Sequence, residues 1–161
     1  MEMDPIRLHL ILNHLPIIGS AIALMVLLVG IFRKNLTVIR TALAVAVVTL
    51  AAVPVVNWSG EEAEERIEDA AWLDAEGNDW LEEHEERAEI AVNTLLSALV
   101  VCIIALALGA YREGWLRGAA IVAALSLAIG LGNGIWAADA GGKIRHSEIR
   151  PQAGESGTEV K

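Results

Sequence analysis

Four long apolar blocks, at about residues 6–32, 37–57, 88–111 and 116–140, are interrupted by short polar punctuation and one strongly charged segment. Each block lacks the polar stripe of a helix lying on a soluble core. Each is also long enough to cross a hydrocarbon layer of about 30 Å at about 1.5 Å per residue. The pattern predicts an all-α, integral membrane four-helix bundle, with an acidic extramembrane helical segment over 58–87 and a flexible tail over 147–161.

Local signals place the helix ends. Asp4-Pro5 offers a capping acid followed by proline at the first helical position. The first span then runs to Phe32 with a kink expected at Pro16, and the second runs from Thr37 to Asn57, loosened near Pro54. Ser59-Gly60-Glu61-Glu62 matches a capping box, which predicts a short helix carrying Ile67 and Trp72. "DAEGND" is expected to break that helix. Asp79-Trp80-Leu81-Glu82, a second capping box, would start a third helix that continues to Tyr111. Gly141-Gly142 is expected to end the fourth. The first block is too long for a secretory leader and lacks a basic start and a cleavage site.

Composition sharpens the picture in one respect. The 161 residues are 55% hydrophobic with a net charge of −9, but the acidity is local. Residues 61–89 hold fourteen acids against Arg66 and Arg87, a net −12, which leaves +3 elsewhere. Nucleic acid is excluded as a partner for so acidic an exposed segment. The simplest role of the acids is a solvated cap; the sharper one is a docking face for a cationic partner such as a small cytochrome c. Cys102 lies inside the third block and reads as a packing residue. No Cys-x-x-Cys-His haem-attachment motif, nucleophile–base pair or phosphate loop occurs, so no catalytic residue is expected.

With four spans, His9, His14, His84 and His146 all fall at one end, beside the acidic segment. The short turns at the other end carry Arg33, Lys34, Arg40, Arg112 and Arg117. The positive-inside rule therefore predicts a multi-pass protein of a bacterial inner membrane with its histidines toward the periplasm or exterior, although Lys143, Arg145 and Arg150 lie on the histidine side. Trp58 and Trp136 mark one interface and Trp115 the other.

His9 and His14 are about 140° apart on a helix and cannot grip one ion as an i, i+4 pair does. His9 shares its face with Asn13, Pro16, Ser20 and Ala23, and His84 shares its face with Leu81, Ala88, Ala91 and Leu95. Both faces suit the bundle interior. Ser126, Gly130, Gly134 and Ala138 form a small-residue ridge at spacing four. Inward histidines beside small residues are what one or two b-type haems would need as axial ligands. The same imidazoles could hold Zn or Cu, with an acid such as Glu83 or Asp139 as co-ligand. Singly, a histidine amid "EEHEE" or in a polar tail is ordinary, whereas His9 and His14 occupy a stretch where an ionisable group is costly.

"HLILNHLPIIG" resembles the opening of a bacterial family of predicted inner-membrane proteins, domain of unknown function 2231, which usually reads like His-Pro-x-x-Val-His-Phe-Pro-Ile. His9, His14 and Pro16 match its spacing, while Leu10 and Leu15 replace its proline and phenylalanine. Ser59 to Ala63, His84, and Gly141-Gly142 followed by His146 are similar to its later landmarks. The resemblance implies that the four histidines form a recurrent set, and it implies no activity. The functional expectation is a small membrane b-type cytochrome, ligated through His9, His14, His84 and His146. It would carry electrons between a quinol or respiratory complex and a periplasmic acceptor. The alternatives are a Zn- or Cu-binding membrane protein and a structural or assembly subunit of a larger membrane complex. A transporter is not expected, since no broken-helix pair or mid-membrane acid is present.

Overall fold

A computed structural model describes residues 4–68 and 70–151. Those residues form helices and turns without a strand: α1 (Pro5–Leu12), α2 (His14–Phe32), α3 (Leu36–Leu50), α4 (Val53–Ile67), α5 (Ala75–Tyr111) and α6 (Leu116–Arg145). α1 with α2, and α3 with α4, make two interrupted rods, a departure from the expectation that no pair of spans is broken. With α5 and α6 they give four helices long and apolar enough to cross a membrane.

The interruptions follow from proline chemistry. Pro16 has no N–H for the Leu12 carbonyl, and the helix pauses at Asn13, one turn earlier. Pro54 likewise cannot bond the Leu50 carbonyl, and Ala51-Ala52 form the turn between α3 and α4. Asn13 keeps right-handed helical dihedrals (φ −58°, ψ −28°), so the first rod is only locally interrupted.

Several expected helix ends move. Ser59 does not cap a new helix: α4 runs through it, and its hydroxyl, buried, donates to the Val56 carbonyl at 3.0 Å. α4 ends at Ile67, and Trp72 lies in the following turn. "DAEGND" starts α5 rather than ending a helix, because Asp74 accepts the Gly77 N–H at 2.6 Å as an N-cap. The box at Asp79 lies inside α5, which at 37 residues is about 55 Å long. α6 continues through Gly141-Gly142 to Arg145.

Packing is set by small residues. α2 buries Pro16, Ser20, Ala23, Leu27 and Gly30; α5 buries Ala91, Leu95, Ala98, Cys102, Ala105 and Gly109; α6 buries Ala120, Ala123, Leu127, Gly130, Gly134 and Ala137. These positions alternate spacings of four and three, the 3.5-residue period of left-handed helix packing. The ridge expected at constant spacing four drifts around the helix: Gly130 and Gly134 are buried, Ser126 is half-buried and Ala138 is exposed. Large apolar side chains such as Ile22, Val48, Ile104 and Leu125 point outward. Branched side chains outside and alanine and glycine inside suit a protein whose surroundings are lipid.

Both ends are tied. At one end Arg33, Lys34 and Asn35 turn the chain. Lys34 takes a left-handed conformation (φ 54°), the Asn35 N–H reaches back to the Gly30 carbonyl at 2.9 Å, and the Asn35 side chain caps α3 through Val38. Arg40 pairs with Glu113 at 3.1 Å across the same end. At the opposite end the start of the expected tail is held down. Residues 147–149 form a helical turn, and the Arg150 side chain is 5% exposed. Its guanidinium donates to both Asp74 oxygens at 2.9 Å and to the carbonyls of Lys143 and Ile144 at 2.8 and 2.9 Å. One arginine thus closes the C-terminus of α6 against the N-cap of α5, where both helix dipoles favour the charges present. Residues 152–161 lie outside the described residues.

Two predictions follow from these contacts. A Cβ on Gly30 would stand 2.9 Å from the Ile39 backbone nitrogen, whereas one on Gly132 meets nothing within 4 Å. Gly30→Ala should cost about 1–3 kcal/mol and Gly132→Ala nothing measurable or a small gain, read as thermal midpoints in detergent. The Arg150 guanidinium and the Gly77 N–H hold the Asp74 carboxyl below the usual carboxylate range. A depressed acid stabilises the fold above its unfolded value, near 3.8, and that stability is lost as pH falls through the lowered folded value. Asp74→Asn should therefore lower the midpoint at neutral pH and flatten its decline below about pH 4.

Candidate functional site

The histidine end gathers the start of α1, the end of α4, the start of α5 and the end of α6. Arg66 at the end of α4 reaches Asp4 ahead of α1 at 3.5 Å, and the Arg150–Asp74 clasp joins α6 to α5. Between these ties stand two of the four expected histidines.

His9 lies on α1 with its Nδ1 3.2 Å from the Val56 carbonyl of α4. His84 lies on α5 with its Nδ1 2.8 Å from the Ala137 carbonyl of α6. A carbonyl only accepts, so each Nδ1 carries the proton and donates, and the neutral ring keeps its lone pair on Nε2. Neither Nε2 has a hydrogen-bond partner among the described residues.

The two arrangements are alike, except that the Val56 carbonyl also accepts the Ser59 hydroxyl at 3.0 Å. In each case the residue four positions beyond the accepting carbonyl is glycine: Gly60 after Val56, and Gly141 after Ala137. A helical side chain leans back over the preceding turn and would shield that carbonyl. Glycine leaves the carbonyl's second lone pair open to a donor on another helix. The imidazoles fill the space: a Cβ on Gly60 would stand 3.1 Å from His9 Cε1, and one on Gly141 3.0 Å from His84 Cε1.

The match extends along the helices. Pro16, Ser20, Ala23 and Leu27 follow His9 by 7, 11, 14 and 18 residues, and Ala91, Leu95, Ala98 and Cys102 follow His84 by the same distances. Ile39, Ala42, Ala46 and Val53 precede Gly60 by 21, 18, 14 and 7 residues, as Ala120, Ala123, Leu127 and Gly134 precede Gly141. All of these residues are buried. The bundle is therefore built from two helix pairs of one design, each carrying a histidine on its first helix and a glycine cradle on its second. Sequence inspection missed this repeat because the chemical identities differ at most matched positions. The recoverable signal was the shared spacing from histidine and glycine to the small residues.

His9 and His84 are both part-buried at the same end of the bundle, one on each helix pair. His14 and His146 are not brought to them. His14 is exposed on α2, because the turn at Asn13 keeps the helical twist and does not swing it inward. His146 is exposed after α6 and its Nδ1 lies 2.8 Å from a Glu148 carboxylate oxygen. Among the described residues no three His, Cys, Asp or Glu side chains converge as an ion site would require. The candidate acidic co-ligands are engaged elsewhere: Glu83 pairs with Arg87 at 2.8 Å, and Asp139 with Lys143 at 2.6 Å.

Around the histidines the polar end is stitched by cations lying on tryptophans. The Arg87 guanidinium is 4.6 Å from the Trp136 ring centre, the Lys143 ammonium 4.3 Å from that of Trp80, and the Arg145 guanidinium 4.5 Å from that of Trp72. Farther along the inward face that begins at His9, Asn13 Oδ1 and Ser20 Oγ are buried without a hydrogen-bond partner among the described residues. The acids above form a strongly negative surface. Glu64, on the polar last turns of α4 beyond the apolar span, is raised to about 7 by partial burial and by the neighbouring Glu85 carboxylate.

No protein-family model, curated protein or solved structure matches this chain.

The bonds at Nδ1 make a spectroscopic prediction. Long-range proton–nitrogen correlation spectra at pH 8 should show His9 and His84 as the Nδ1-protonated tautomer. Gly141→Val should disturb the His84 signals and leave those of His9 in place.

Proposed function

We propose that this protein is a small membrane-embedded b-type cytochrome that binds haem between His9 and His84, with one ligand contributed by each helix pair. The observation that carries this reading is the repeated arrangement of a histidine over a glycine cradle. Two imidazoles from matching positions, each fixed at Nδ1 by a carbonyl and keeping its lone pair at Nε2, fit the donor set of a bis-histidine haem. Bound haem would supply a one-electron couple. The chain's own part is binding and orientation. The Val56 and Ala137 carbonyls set the tautomer and ring angle and make each Nε2 a stronger donor. The acidic extension of α4 and α5 surrounds that end with negative potential, suited to a cationic electron-transfer partner such as a small cytochrome c. A membrane quinol or a respiratory complex would stand on the other side of the transfer. The charge distribution supports a bacterial inner-membrane setting with the histidine end toward the periplasm.

The test is a dithionite-reduced minus oxidised spectrum of protein purified from haem-supplemented cells. Sharp b-type bands are expected, lost in His9→Ala and in His84→Ala and retained in His14→Ala and His146→Ala. A featureless spectrum of the wild-type protein would refute the reading, and loss of the bands in His14→Ala would refute the ligand pair.

A further inference from the structure

At the end away from the histidines, α2 and α6 pack antiparallel and leave an outward-facing groove of about 310 Å³ between them. Leu24, Leu28 and Ile31 line it from α2, and Ile121, Leu125 and Ala128 from α6. Ile31 lies in the last turn of α2 and Ile121 in the second turn of α6, so the groove runs out toward the short polar turns. Beyond Ile31 the chain continues as Arg33 and Lys34. Arg117 precedes Ile121 by four residues and so shares its helical face.

These three cations differ from the others at that end. Arg40 pairs with Glu113, and Arg112 lies toward the Trp115 ring. Arg33, Lys34 and Arg117 are exposed and have no acidic partner among the described residues. The left-handed backbone of Lys34 is adopted where glycine is usual, which keeps an ammonium at this corner.

We infer that the α2–α6 groove and its cationic rim form a binding site for an anionic glycerophospholipid. One acyl chain lies along the groove, and the headgroup phosphate is held by Lys34 and Arg117, while Arg33, about 200° round the helix from Ile31, adds positive charge from the far side of α2. Charge complementarity selects this occupant. An apolar trough ending in cations at membrane-interface depth matches an anionic lipid from tail to head. A further transmembrane helix is a poorer fit, because this chain's helix contacts are made through alanine and glycine while the groove is lined mainly by leucine and isoleucine. The positive-inside rule assigns these turns to the cytoplasmic leaflet, where anionic lipid is the partner juxtamembrane cations meet. The site is independent of the histidines.

The full chain, freed of lipid in detergent, is titrated with phosphatidylglycerol and with phosphatidylcholine of identical acyl chains. Bound lipid is followed by native mass spectrometry and the thermal midpoint is read alongside. Phosphatidylglycerol should bind more tightly than phosphatidylcholine and raise the midpoint more. Its preference should weaken with salt. Lys34→Gln and Arg117→Gln should each lower phosphatidylglycerol affinity by roughly fivefold, and together by roughly 25-fold, with a smaller loss in Arg33→Gln. Phosphatidylcholine, whose choline offsets the phosphate charge, should lose less affinity in each variant. Ala128→Trp, which fills the groove and keeps the cations, should weaken both lipids. Equal binding of the two lipids, or an anionic preference that survives the double substitution of Lys34 and Arg117, would overturn the site. A Leu125→Cys variant that crosslinks to a second copy in native membranes would assign the groove to a protein contact instead.

Discussion

Helices surrounded by lipid gain nothing by hiding apolar surface from one another, so they associate only where their backbones can approach closely. In this protein that approach is made along seams of alanine, glycine and serine repeating every 3.5 residues on α2, α5 and α6. The large side chains inside the bundle, among them Leu27, Leu43, Leu50 and Leu127, fill the space beside the small ones, and the remaining branched residues face outward. The interruptions at Asn13 and Ala51-Ala52 leave the seams intact because the helical twist is kept through them. Everything at the two ends of the bundle inherits its position from these contacts.

The seams also explain how histidines are accommodated near the membrane. An unsatisfied imidazole there would be costly, and His9 and His84 escape that cost by donating to carbonyls of the neighbouring helix. Those carbonyls are already used within their own helices, that of Val56 by the Ser59 hydroxyl as well, and the imidazole can still reach them because the residue one turn further on is glycine. The same glycine that permits close approach thus uncovers a hydrogen-bond acceptor. That this happens twice, with the same register of buried residues behind it, makes the bundle a pair of like halves with one imidazole each. The haem proposal rests on these two matched imidazoles, whose Nε2 atoms have no hydrogen-bond partner among the described residues.

The histidine end, where the acids lie, is ordered by different forces. Its excess of acids does not leave the segment loose, because the cations that follow the fourth span fold back onto it. Arg150 joins α6 to the cap of α5, Arg145 lies on Trp72 and Lys143 on Trp80. Charge that looked asymmetric along the chain is partly compensated in space. The opposite end has no such cover over Arg33, Lys34 and Arg117, and the two surfaces present opposite signs to whatever approaches them.

Hydropathy alone determined that four helices are long and apolar enough to span a membrane, and chain connectivity determined that the histidines share an end. The inward faces of His9 and His84 were also legible, because helical periodicity ties each to a run of small residues. Some helix ends were legible as well, at Asp4-Pro5, Phe32 and Tyr111. Others were not: Ser59 and Gly141-Gly142 are overridden because their helices continue along a packing seam, and Asp79 because Asp74 has already capped α5. Nor could the chain reveal which histidines belong together. His9 and His84 are 75 residues apart in sequence; they are related by contacts to Gly60 and Gly141, which only the packed helices bring within reach. The rotation of about 140° between His14 and His9 was itself legible in the sequence, and His14 lies outside because the turn at Asn13 keeps that rotation. Periodicity fixes which way a residue faces on its own helix, and only tertiary structure decides what it faces.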